Sequence, residues 1–266
     1  LKNHPEVVDL IRQVMARTTP ARAVRPQQRW YALAASVLVC ALGLGAYFVL
    51  SSPSVESYVT ARGERSTVTL ADGSKIFLNS ATELEVRFDR ESRRFALRKG
   101  EALFVVAPES SRPFTVTAGD GRVTALGTRF QVRNDPSRVI VTLLEGAVAL
   151  DRGDVAPPVR LAPGEQIRFA PAKPEMTRRT VDPEVAASWS TGWLRFRATP
   201  LIDVLEEVNR YSSVQIRIGD PTVDPATPIS GTFEVGDSAS VISALEALLP
   251  VEVVKRDSGE IVLQSR

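Results

Sequence analysis

The chain has 266 residues, 44% hydrophobic and 24% charged, with a formal net charge of +2, which suits two modest domains of ordinary globular chemistry. The near-neutral balance leaves no broad case for nucleic-acid binding by the larger part of the chain. One histidine, His4, and one cysteine, Cys40, exclude a Ser-His-Asp or Cys-His site, a zinc cluster and a disulfide in residues 51–266.

In chain order, Pro5 to Arg17 reads as a short amphipathic helix. Pro5 suits a first helical position, and Val7, Leu10, Ile11, Val14 and Met15 recur at helical spacing. Thr18-Thr19-Pro20 ends it, and Ala21 to Gln28 is a flexible basic tether. Trp30 to Leu50 follows, a run of 21 residues with no charge and no proline. At about 1.5 Å per residue it spans a hydrocarbon core of about 30 Å. Trp30 and Tyr31 at one end, and Tyr47 and Phe48 at the other, are expected to anchor it at the two headgroup boundaries. A cleaved signal peptide has a shorter apolar core and a small-residue cleavage site, whereas this run ends in Tyr47-Phe48-Val49-Leu50. Residues 1–29 hold six basic residues against two acidic ones, and residues 51–266 hold 27 against 29. That asymmetry predicts a single-pass chain with its N-terminus in the cytoplasm and its bulk on the far side. Cys40, in mid-span, is expected to pack as an apolar side chain.

From Ser57 to Phe169 the pattern changes to short strands with period-two alternation. They are expected at Thr67 to Leu70, Lys75 to Leu78, Leu84 to Phe88, Arg94 to Leu97, Ala102 to Val106, Phe114 to Thr117, Arg122 to Leu126, Phe130 to Arg133, Val139 to Leu143, Ala147 to Leu150 and Gln166 to Phe169. Turn dipeptides separate them, among them Asp72-Gly73, Lys99-Gly100, Asp120-Gly121, Glu145-Gly146 and Pro163-Gly164. Gly-Glu recurs at Gly63-Glu64, Gly100-Glu101 and Gly164-Glu165, a weak repeat that suggests stacked β layers, solenoid-like rather than a closed barrel.

Ala170 to Pro183 is rich in proline and charge, and residues 170–193 read as a linker. Residues 194–266 read as a small α+β unit of order βαβ-βαββ. Its strands are expected at Leu194 to Phe196, Val214 to Ile218, Ile229 to Val235, Val251 to Lys255 and Glu260 to Leu263. One helix is capped by Thr199, with Pro200 first and a stripe of Leu201, Val204, Leu205 and Val208. The other is capped by Asp237 or Ser238, with Val241, Leu245 and Leu248 on one face. The fold class is thus mainly β with an α+β unit, behind one transmembrane helix.

No Walker-type phosphate loop occurs, and no GxGxxG follows a strand. Glu206 and Glu207 are adjacent on a helix, do not face each other, and read as a solvated helix face rather than an acid/base pair. Trp189 and Trp193 are expected to anchor the linker on the β domain. Gly127-Thr128 and Gly231-Thr232 read as turn or bulge features. The chain reads as no enzyme and needs no cofactor.

The run Arg62 to Asn79, with Arg94 to Val106, Arg112 to Val116, Ala125 to Val132, Val141 to Val148 and Leu161-Ala-Pro-Gly-Glu165 in order, resembles the FecR family of transmembrane sigma-factor regulators. Trp189-Ser-Thr-Gly-Trp-Leu-Arg-Phe196, Pro200-Leu201 and Ser230-Gly-Thr-Phe233 are similar to the join between these regulators and a C-terminal domain like the short N-terminal domain of secretins and TonB-dependent transducers. The resemblance covers residues 57 to 266. It implies a bacterial inner-membrane regulator with a FecR-like β domain at 57–169 and a short-domain-like unit at 194–266, both periplasmic. The implied partners are an extracytoplasmic-function sigma factor inside, the signalling domain of a TonB-dependent outer-membrane transducer outside, and the proteases that release the inner segment. Family members usually begin with a longer helical anti-sigma domain, so residues 1–29 read as a partial or truncated one. On this reading Leu194, Phe196, Val214, Ile216, Ile218 and Phe233 are the partner-binding positions, through strand addition at an exposed edge. The competing reading is a passive envelope scaffold.

Overall fold

In the computed structural model the described residues are 38, 40–44, 55–88, 92–109, 111–153, 157–255 and 260–266. Residues 38 and 40–44 are helical. The remainder of the expected span, including Trp30, Tyr31, Tyr47 and Phe48, and the expected helix Pro5 to Arg17 lie outside the described residues. Among the described residues no helix is long and apolar enough to cross a membrane. Pro53–Arg266 forms one compact unit and Leu1–Ser52 another.

Period-two alternation becomes thirteen strands: β1 (Val55–Val59), β2 (Ser66–Thr69), β3 (Lys75–Leu78), β4 (Glu83–Phe88), β5 (Arg93–Val105), β6 (Phe114–Ala118), β7 (Gly121–Ala125), β8 (Arg129–Asp135), β9 (Arg138–Glu145), β10 (Val148–Asp151), β11 (Val159–Leu161), β12 (Glu165–Phe169) and β13 (Met176–Thr180). They form two layers that share β5. One runs β1-β4-β5-β6-β7-β10-β11, the other β2-β3-β5-β8-β9-β12-β13. All pairs are antiparallel except β5 with β6. The expected solenoid-like stack is therefore corrected to a two-layer sandwich, its strands joined mostly as hairpins rather than wound as coils. One apolar core lies between the layers, with Phe95, Phe104, Phe114 and Phe130 at its centre. Phe114 of the first layer meets Phe130 of the second with centroids 6.3 Å apart, and Phe104 stacks on Phe130 at 5.1 Å. Each such ring buries a large apolar area in edge or offset contact.

Lys99-Gly100 is not a turn between two strands, as its composition suggests, but the crossing point of one. Before it, Arg93 to Lys99 pairs with β4; after it, Gly100 to Val105 pairs with β8. A register shift at Glu83/Leu84 marks a bulge here, and it inverts the parity of the strand. Phe95 and Leu97 face the core before the bulge, and Ala102 and Phe104 face it after. Gly100 takes φ +86, and a Cβ there would lie 2.5 Å from Thr82 Cα, so only glycine fits.

The Gly-Glu repeat has a common geometry at two of its three sites. At Ala61 to Glu64 and at Ala162 to Glu165, the glutamate Oε2 accepts from the alanine N–H three residues back, at 2.7 and 2.8 Å. The third glutamate, Glu101, is used differently, as described below. Arg93 secures the return from β5 to the parallel β6. Its side chain is fully buried, donates to Asp72 Oδ2 at 2.6 Å and to the Arg112 carbonyl at 2.8 and 3.0 Å. Burial works to raise the Asp72 pKa, but the Arg93 and Ser74 donors prevail and hold it below the ordinary aspartate range.

The expected linker 170–193 is structured. It contains β13, a short helix α1 (Pro183–Ala186) and a 3-10 turn at Ser188–Thr191. Asp182 caps α1 by accepting from Glu184 N and Val185 N. The C-terminal lobe follows as β14 (Trp193–Pro200), α2 (Leu201–Asn209), β15 (Ile216–Ile218), β16 (Pro228–Glu234), α3 (Ser238–Leu248), β17 (Val251–Lys255) and β18 (Ile261–Ser265). The element order is the expected βαβ-βαββ, but the strands divide into two sheets, β14-β16 and β15-β18-β17. The cap of α2 also differs: Pro200 occupies it, and Thr199 Oγ1 instead accepts from Arg197 N at the β14 bulge. Leu201, Val204, Leu205 and Val208 are buried as their spacing predicts.

Candidate functional site at the seam between the lobes

Strand register places side chains in rows across the outward face of the second layer. One row reads Glu101, Arg133, Ile140, Arg168 and Thr177, on β5, β8, β9, β12 and β13. The next reads Leu103, Gln131, Thr142, Gln166 and Arg179. Opposed residues in antiparallel strands share a face, so both rows point away from the sandwich core, toward α2, β14 and the 3-10 turn.

Apolar contact contributes at one end of this seam. Leu103 and Leu144 belong to the core of the C-terminal lobe, together with Trp189, Leu194 and Leu205. Trp189 is 3% exposed and its Nε1 donates to Gln131 Oε1 at 3.0 Å. Trp193 is 45% exposed, so one tryptophan of the expected pair anchors and the other faces solvent.

Charge supplies the rest. Glu101, 3% exposed, accepts from Asn79 Nδ2 at 2.7 Å, from Gln131 Nε2 and from Arg210 Nη1. Arg133 donates to Glu206 at 2.7 Å and to Glu207 at 3.1 Å, and Arg138 also pairs with Glu206. Glu207 accepts from Arg210 at 3.1 Å and from Tyr211 Oη at 3.3 Å. Glu206 and Glu207 are thus not a solvated face. They are the carboxylates that dock α2 on the sandwich, which helix spacing alone does not disclose because it says nothing about what covers the helix. Three hydrogen bonds to backbone carbonyls complete the seam: Arg62 to Ser212 at 3.2 Å, Arg65 to Trp189 at 2.8 Å and Ser80 to Arg210 at 2.6 Å.

Within this network Glu207, Arg210 and Tyr211 titrate away from their usual values. Burial alone would raise Glu207, but the Arg210 and Arg133 charges outweigh it and hold the carboxyl below the ordinary range. Burial would likewise lower Arg210, and the Glu101 and Glu207 carboxylates push it well above the ordinary arginine value instead. Burial, then the Glu207 charge, pushes the Tyr211 phenol up. Glu207 and Arg210 are thereby held in their charged forms at neutral pH.

Between the lobes the seam opens into a cavity of about 550 Å³. Its lining includes Arg138, Arg168, Arg179 and Arg197, the carboxylates Glu101, Asp182, Asp203, Glu206 and Glu207, and the apolar Ile140, Leu194 and Phe196. Across the described residues no group of three His, Cys, Asp or Glu side chains is placed to hold a metal ion.

The proposed partner-binding side chains lie mostly inside. Leu194, Phe196 and Ile216 are buried in the C-terminal core, and Phe233 and Ile218 pack against it; Val214 is half-buried. Their alternation is that of a strand face turned to the core. The outer edge of β14 is closed where Arg195 N donates to Ser188 Oγ at 3.2 Å, and that of β15 where Ile216 N donates to Asn209 Oδ1 at 2.7 Å. The far edge of β16 is paired with no strand among the described residues, and Ser230, Thr232 and Glu234 along it are exposed.

Residues 56–149 match the family described as FecR protein. Two crystal structures of candidate anti-sigma factors from Parabacteroides distasonis, at 2.50 and 1.65 Å resolution, have the same fold. Each has a TM-score of 0.67 and 26% identity; they cover 80% and 79% of this chain and 100% and 99% of their own. No curated protein matches the chain. Residues 56–149 of the sandwich are therefore a FecR domain, within a two-lobed body that is similar to candidate anti-sigma factors.

Proposed function

We propose that the chain is a single-pass regulator of an extracytoplasmic-function sigma factor, with residues 1–29 in the cytoplasm, Trp30 to Leu50 in the bacterial inner membrane and both lobes in the periplasm. The observation that carries this reading is the likeness to candidate anti-sigma factors across both lobes, at 26% identity over 80% of the chain, joined to the charge asymmetry about residues 30–50. On this reading the chain transmits a signal and performs no chemistry of its own.

The signal arrives from the N-terminal signalling domain of a TonB-dependent outer-membrane transducer of the siderophore, iron or haem uptake type. It docks on the C-terminal lobe by adding a strand to the open edge of β16. Trp193, exposed and opposite Glu234 in the β14-β16 register, supplies an aromatic anchor beside that edge. The charged seam passes the change to the sandwich, and the stalk at Ser51 to Ser57 is opened to a protease. Cleavage within the membrane then frees the inner segment to act on the sigma factor.

Deleting residues 190–266 tests this. The expected result is loss of transducer binding and of inducible sigma-dependent transcription. Unchanged signalling and partner binding would remove the C-terminal lobe from the pathway.

A further inference from the structure

The arginines on the outer face of the second layer are unequally matched with acids. Arg168 lies opposite Ile140 and Thr177, and Arg138 and Arg179 stand one pair further along the neighbouring strands, on the same face. Arg138 is taken by Glu206, Arg179 gives its Nε to Gln166 Oε1 at 2.7 Å, and Arg197 on the opposite wall holds Asp182 at 2.6 Å. The side chain of Arg168 has no hydrogen-bond or ion-pair partner among the described residues, and it lines the cavity. Burial, then the Arg138 and Arg179 charges, hold its guanidinium below the ordinary arginine range, against the weaker pull of Asp203 and Glu206. The local field at this point favours an added negative charge.

We propose that the cavity between the lobes is a carboxylate-binding site, with Arg168 as its principal binding group and Arg179 beside it. A planar guanidinium presents parallel donors that match a carboxylate in bidentate geometry. Ile140, Leu194 and Phe196 give the cavity apolar walls, so the carboxylate arrives on a short aliphatic stem. A volume of about 550 Å³ lies within the range of small-molecule sites. The same chemistry is offered by a free aliphatic dicarboxylate and by the acidic side chains of a protein segment. The site does not depend on which partner docks at β16, because it is built from β12, β13 and the seam. A ligand held here touches both lobes and ties its own occupancy to their docking.

The full chain titrated calorimetrically at low ionic strength with glutarate, and separately with a hexaglutamate peptide, tests the site. Binding of glutarate assigns the site to a free dicarboxylate, and binding of the peptide alone assigns it to acidic side chains of a protein; both support the proposal. In either arm Arg168→Gln weakens binding at least tenfold, Arg168→Lys keeps part of it, and Asp203→Asn, which removes a competing carboxylate, tightens it. The thermal midpoint of Arg168→Gln stays at or slightly above that of the parent, since the guanidinium has no partner to lose. Absence of binding in both arms, or binding unchanged in Arg168→Gln, overturns the proposal.

Discussion

The interior of the sandwich and the seam on its outer face lie on opposite sides of the same strands, yet they are held by different forces. Phe104 and Glu101, three positions apart on β5, show the contrast. Phe104 sits fully buried in the phenylalanine cluster, where stability follows apolar area and packing. Glu101 faces the other lobe and accepts from three side chains, one of them Arg210 of that lobe. Buried ion pairs are worth little over apolar contact but are costly to break one-sidedly. A body meant only to be stable has little need of such a seam, whereas one that must dock in a single register, and release, is served by it.

The contrast can be broken first at its apolar side. Phe104→Ala is expected to cost about 4 kcal/mol and to lower stability throughout the Pro53–Arg266 unit, seen as a lower chemical-denaturation midpoint. Glu101→Ala is expected to cost about 3 kcal/mol, because it removes one of the two carboxylates that hold Arg210 and strips Asn79 and Gln131 of a buried acceptor. Its loss is expected to be local. Hydrogen exchange accelerates first over Trp189 to Tyr211 while the sandwich strands stay protected. If Glu101→Ala and Phe104→Ala loosen the same amides in the same order, the distinction between seam and interior fails.

Acid sharpens it further. Glu207 has a folded-state pKa below its unfolded one, so its contribution is complete above the ordinary glutamate value of about 4.3 and is lost as pH falls through the depressed folded value. Exchange of the seam amides is expected to rise in that acid window before the sandwich opens, and to be flat from pH 5 to 8. Trp193→Ala completes the series with the smallest expected effect on stability, within about 0.5 kcal/mol for a surface site. On the proposed docking at β16 it nonetheless weakens transducer binding. A large loss of stability would show that Trp193 holds the fold instead.

These two regions also differ in how far the amino-acid sequence discloses them. Inner-face alternation is a local property, so β3 is found at its expected Lys75 to Leu78, and Leu201, Val204, Leu205 and Val208 are buried as spaced. β5 reads as two strands because glycine in a turn and glycine at a bulge look alike; only the parity change from Phe95 and Leu97 to Ala102 and Phe104 distinguishes them. β13, Met176-Thr-Arg-Arg-Thr180, has exposed positions and no apolar alternation, so proline and charge around it mask a strand. The seam is less legible still. Glu206 and Glu207 meet Arg133, more than seventy positions away, and no local pattern records such a pairing. Gln131, which links Trp189 to Glu101, carries no signal beyond its place in an alternating strand.

The claim on which the functional account rests is that this two-lobed body regulates a sigma factor. Its most direct measurement is recovery of the full chain from its native cell, with crosslinking, and identification by mass spectrometry of what accompanies it. The account predicts an extracytoplasmic-function sigma factor, lost when residues 1–29 are removed and retained when residues 190–266 are removed. Recovery of envelope proteins alone, with no sigma factor in any form of the chain, would contradict it and leave a scaffold.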